Sequence, residues 1–136
     1  MYEYRKYESR QEMFGNFGQW LDNALDNSDF PKGTAAAVFN LHEDKIGKLW
    51  STELVGTEDF DPDNEDWRCG ETADLGTRDA PFGWEEETGW ESILSEAKEM
   101  VTDYLKSGKH AERLKSFSGI GIGFAEGDCE IVYCRK

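Results

Sequence analysis

Residues 88–105 read TGWESILSEAKEMVTDYL. Apolar side chains recur at Trp90, Ile93, Leu94, Ala97, Val101, Tyr104 and Leu105, the spacing of one face of an α-helix. Glu91, Ser95, Lys98, Glu99, Thr102 and Lys106 fall on the opposite face. Thr88 and Glu91 stand at capping-box spacing, and Gly108 follows where a left-handed stop belongs. A helix with one apolar stripe must bury it, and the flanking sequence supplies strands to bury it against.

Downstream, Ile120, Ile122 and Phe124 alternate with Gly121, Gly123 and Ala125. That is a strand with one bulky face and one nearly bare face, over which a ring or helix can lie close. Glu126-Gly127-Asp128 turns the chain, and Cys129, Ile131 and Tyr133 then alternate with Glu130, Val132 and Cys134. The pattern predicts a hairpin over 120–134, preceded by a short helix within 110–117.

Upstream, residues 34–42 predict a strand apolar on both faces and therefore central, with Glu43-Asp44 turning into a partner over 45–55. Trp50, Thr52 and Leu54 share one face of that partner. Residues 56–66 read as a polar acidic loop, 67–75 as a third strand and 76–87 as irregular. A first helix over 10–26 opens on the capping box Ser9/Glu12. The order α-β-β-β-α-β-β predicts one α+β domain over residues 1–136, a mainly antiparallel sheet packed against two main helices.

Charge narrows the range of partners. The net charge is −14 with a pI near 4.4. Residues 53–91 hold 14 acids against Arg68 and Arg78 alone, nearly the whole excess. Such a surface repels phosphate, which argues against nucleic acid and anionic membrane. No apolar run reaches membrane-spanning length, and the opening residues have no apolar core of signal-peptide type. The expected location is the cytoplasm. Cys69, Cys129 and Cys134 show no metal-ligand spacing and predict buried free thiols. His42 and His110 have no sequence link to them.

Candidate chemistry is sparse. Asp59-Phe60-Asp61-Pro62-Asp63 has the alternate-oxygen spacing of a calcium loop. Asn64 then stands where glycine is needed and Gly70 where the bidentate glutamate belongs. Gly119, Gly121 and Gly123 lack the rest of a phosphate loop, and no hydrolase signature occurs. The expectation is no metal, no cofactor and no catalysis. What remains is acid interleaved with aromatic. Trp67 and Trp90 are expected in the core, and Trp84, between Gly83 and Glu85, is expected to be exposed. The candidate partner-binding set is Asp59, Asp61, Asp63, Glu65, Asp66, Trp84, Glu85, Glu86 and Glu87. Aromatic anchors ringed by charge suit a tight interface with a basic protein.

With its small size and acidity, the stretch Phe60-Asp61-Pro62-Asp63-Asn64-Glu65-Asp66-Trp67 resembles the bacterial immunity proteins that neutralise toxins. The closing Gly123-Phe124-Ala125-Glu126-Gly127-Asp128 is similar to segments of small bacterial proteins. The resemblance implies binding and blocking a cognate toxin, often a basic nuclease, without catalysis. A small ligand- or metal-binding domain, or an enzyme without a recognisable motif, stays open beside it.

Overall fold

A computed structural model describes residues 4–135, with the side chain of Glu65 outside that description. Helix α1 (Arg10–Asn27) begins where Ser9 Oγ accepts the Glu12 N–H at 3.1 Å, as the capping box predicts. Met13, Phe17, Leu21 and Leu25 form its buried stripe. Strands β1 (Ala36–Lys45) and β2 (Leu49–Thr57) form the expected antiparallel hairpin, but Glu43 and Asp44 lie in β1 and the turn falls at 46–48. Then come β3 (Glu71–Ala73), β4 (Phe82–Glu85), α2 (Trp90–Ser107), the short α3 (Ala111–Lys115), β5 (Gly119–Phe124) and β6 (Glu130–Cys134). The class is α+β. The sheet runs β3-β2-β1-β5-β6, with β4 on the same edge of β2 as β3 but at the other end. Between β3 and β4 the buried Thr77 hydroxyl accepts the Leu54 N–H at 2.9 Å and lies 2.9 Å from the Leu54 carbonyl.

β1 is central, as its two apolar faces require, and its second neighbour β5 runs parallel to it. The remaining pairings are antiparallel. One face carries Phe39, Trp50, Leu54, Phe82, Ile120 and Ile122 against α1 and α2. On the other face, Ala36, Val38 and Val55 are covered by Trp67, with Phe60 and Cys129 beside it. The bare face of β5 explains the second layer. A Cβ at Gly119 would stand 2.2 Å from the Phe60 ring, and one at Gly121 would stand 3.0 Å from the Trp67 ring. Only glycine lets these two rings, 4.9 Å apart, seat on the strand.

Several local expectations change. Trp67 lies in a 3-10 turn (Glu65–Cys69), so the third strand shrinks to Glu71–Ala73. The stretch read as irregular contains β4, held by the register Trp50↔Trp84. Four residues are too few to show a period. α2 is capped at Gly89 without a side-chain bond, so Thr88 and Glu91 form no capping box. Gly108 is extended rather than left-handed. Its missing Cβ makes room for the Tyr104 ring, which would lie at 2.5 Å. Cys69 and Cys134 are exposed and Cys129 is half-buried, against the expectation of buried thiols. Cys69 ends the 3-10 turn, Cys129 precedes β6 and Cys134 ends that edge strand. Among the described residues no helix is long and apolar enough to cross a membrane.

The stripe of α2 holds from Ile93 onward and also takes in Glu96 and Met100. Leu94 is only half-buried. Ile93→Ala is therefore expected to cost about 2–5 kcal/mol, while Leu94→Ala costs about 1 kcal/mol. Denaturant unfolding of both variants checks the difference, and equal costs would place Leu94 in the core.

Candidate functional site

The expected interface residues fall in separate places. Asp59, Asp61, Asp63 and Asp66 are exposed on the loop that crosses the outer face of the sheet. Phe60 and Trp67 hold this loop down, and Arg68 ties it to the carbonyls of Phe124 and Gly127. Asp61 Oδ1 accepts the Asp63 N–H at 2.9 Å, and Asn64 Oδ1 accepts the Asp66 N–H at 3.0 Å. These side-chain oxygens close local turns. Among the described residues no three His, Cys, Asp or Glu side chains converge as a metal ion requires.

Trp84 is buried, at 1% exposure, contrary to the exposed anchor expected. Alternation along β4 turns it to the helix side with Phe82, 5.6 Å away between ring centroids. Glu85 and Glu86 are half-buried and Glu87 is exposed. They line a pocket of about 250 Å³ with Arg10 and Glu96. Glu96 is itself buried, and Arg10 Nε approaches its Oε2 at 3.3 Å. Burial and then the neighbouring Glu86 carboxyl push Glu96 up to about 7, against the pull of Arg10.

A second buried carboxylate lies on the outer face. Glu53 accepts from Asn40 Nδ2 at 3.2 Å and Arg78 Nη2 at 2.7 Å, and its Oε1 lies 3.2 Å from His42 Nε2. Burial alone pushes the Glu53 carboxyl up. The bonds from His42, Arg78 and Asn40 outweigh it and hold the group at about 2. The bond to Glu53 raises His42 in turn. The cluster fills the polar part of the outer face and orients His42 towards the end of β1.

There a groove of about 840 Å³ opens at the end of β1 and β5. Leu41, Leu94, Phe124 and Trp90 supply its apolar surface. Glu43, Asp44, Glu126, Asp128 and Glu130 supply carboxylates, and His42 also lines it. Trp90 is 51% exposed, although its place on the helical stripe predicts core. It stands at the first turn of α2, beyond the fully packed part of the sheet. Its ring meets Phe124 edge to face at 6.1 Å, and Phe124 rests in the same way on the buried Trp50 at 6.0 Å. Ile46, 90% exposed, tips the adjoining hairpin. The Thr88 N–H to Gly47 carbonyl bond (3.2 Å) ties that hairpin to the segment leading into Trp90. Among the described residues, none of the expected site set, Glu87 included, lines the groove.

Sequence reading passes over Glu43, Asp44, Glu126 and Asp128 because each looks like a turn residue. The available signal is that two apolar stretches each run into acidic residues. Parallel pairing, which local sequence does not reveal, brings the acidic end of β1 and the acidic turn after β5 to one end. The chain matches no protein-family model, no curated protein and no solved structure.

Proposed function

We propose that the chain is a non-catalytic, cytoplasmic immunity protein of bacterial type, binding and neutralising a basic cognate toxin through an acidic-aromatic surface. The observation that carries this reading is Trp90, half exposed on Phe124 in a groove rimmed by carboxylates. A large rigid aromatic on a firm base, ringed by charge, has the make-up of an interface anchor. The exposed acids at Asp61, Asp63 and Asp66 add a field that speeds the approach of a basic protein without contacting it closely. A second reading, a domain for a small ligand, is favoured by the groove volume, which lies in the range of ligand pockets.

Co-purification from the native host should bring down a basic protein whose toxicity the chain suppresses. Trp90→Ala is expected to speed its dissociation about tenfold or more. Replacing Asp61, Asp63 and Asp66 with Asn or Ser is expected to slow association at low salt and leave dissociation unchanged. Kinetics at two salt concentrations check both. Unchanged rates across the set would overturn the interface, and a captured small molecule with no protein would favour the second reading.

A further inference from the structure

We infer that the groove at the end of β1 and β5 receives an arginine-bearing basic segment, its guanidinium lying on the Trp90 indole and its N–H groups reaching the rim carboxylates. This rests on the reading of that end as the partner-binding surface, and it adds what chemistry the partner must present.

The first support is the state of the acids. Elsewhere Glu12, Asp26, Asp29, Glu71 and Glu99 each have a cation of the chain within ion-pair distance, whereas the outer-loop acids Asp59, Asp61, Asp63 and Asp66 stand in no ion pair among the described residues. Among the described residues, Glu43, Asp44, Glu126 and Asp128 stand in no ion pair. Glu43 Oε2 accepts the Gly47 N–H at 2.7 Å and Asp44 Oδ2 accepts the Tyr4 hydroxyl at 2.7 Å, which fixes both without neutralising them. Two cations beside the groove are engaged. Lys98 holds Glu130 at 2.8 Å, and Arg68 points at the Phe124 and Gly127 carbonyls. Lys45 and Lys48 adjoin the hairpin tip but do not line the groove.

The second support is shape. The rim carboxylates come from the end of β1 and from the β5–β6 turn, across an opening of about 840 Å³. That spread suits an elongated organic cation and does not suit a metal ion, for which no three ligands converge among the described residues. The third is the indole. A planar, weakly hydrated guanidinium stacks on an aromatic face and presents N–H groups to two carboxylates at once. A lysine ammonium is a strongly hydrated point charge and gains less from such a surface.

The test uses the full chain and blocked tetrapeptides, acetyl-Gly-Arg-Arg-Gly-amide with its lysine and citrulline counterparts, followed by amide chemical-shift titration. The arginine peptide is expected to bind about tenfold tighter than the lysine peptide, with shifts centred on Trp90, Glu126 and Asp128. The uncharged citrulline peptide is expected not to bind. Trp90→Ala should weaken the arginine peptide about tenfold and abolish the preference over lysine, while Glu126→Gln with Asp128→Asn should weaken both peptides alike. Equal affinity for arginine and lysine, shifts centred on the Asp59–Asp66 loop, or no saturable binding would each overturn the inference. If a captured toxin nevertheless depends on Trp90, the interface reading stands and only the arginine assignment falls. If the peptides behave as expected and no toxin is captured, the reverse holds.

Discussion

Trp84→Ala is expected to lower folding stability by about 3–5 kcal/mol while leaving the binding behaviour of the folded fraction intact. The indole is 1% exposed, packs on Phe82 and stands opposite Trp50 in the β2–β4 register. Truncation opens a cavity between a four-residue edge strand and two helices, and removes one of the two large buried side chains, Phe82 and Trp84, that hold β4 down. Trp84→Phe is expected to cost far less. It keeps most of the ring and removes an indole N–H that has no hydrogen-bond partner among the described residues. Urea unfolding of both variants measures the costs, and affinity is read on the folded protein. A stable Trp84→Ala chain with weakened partner binding would return this residue to the surface.

The second large effect is a stability optimum set by two buried carboxyls displaced in opposite directions. Glu53, held at about 2, binds fewer protons folded than unfolded. Its contribution is fully present above the ordinary glutamate range near 4.5 and is lost as pH falls towards 2. Glu96, pushed up to about 7, binds more protons folded than unfolded. Its contribution is present below 4.5 and is lost as pH rises through 7. Each displacement corresponds to roughly 3 kcal/mol. Stability should therefore rise from pH 2 to 4.5 and fall from there to pH 7. The groups facing Glu96 are Arg10 on α1 and Glu86 after β4, and those facing Glu53 are His42, Arg78 and Asn40. Glu96→Gln should flatten the upper limb and make the chain more stable at pH 8, whereas Glu53→Gln should destabilise it at pH 7. Unfolding free energies from pH 3 to 8 decide this, and a Glu96→Gln chain that loses stability at pH 8 would overturn the Glu86–Glu96 arrangement.

The fold was legible where a segment was long enough to show its period. Ser9 caps α1 as read, β1 is central because both its faces are apolar, and the alternating glycines of β5 do admit rings. β4 was hidden because Phe82-Gly83-Trp84-Glu85 is a strand only by virtue of β2 beside it. The same gap inverted two tryptophans. Trp90 obeys the helical period but lies past the sheet's fully packed part, and Trp84 sits among glycine and acids yet turns inward. The candidate groove was illegible for a topological reason, since the acidic end of β1 and the acidic β5–β6 turn meet only through the parallel β1–β5 pairing.

That pairing also orders the assembly of the molecule. β1 finds β2 across a tight hairpin, but its other edge waits for β5, which lies far along the chain, with Ala36 opposite Gly119. Closing so long a loop slows folding, because chain entropy is lost before the contact is gained. On the ribosome that edge of β1 stays open until Gly119–Phe124 has emerged. An apolar strand in that condition is a template for pairing with another copy. The nascent chain is thus most vulnerable to self-association just before β5 docks, and its high negative charge is the feature that keeps neighbouring copies apart during that interval.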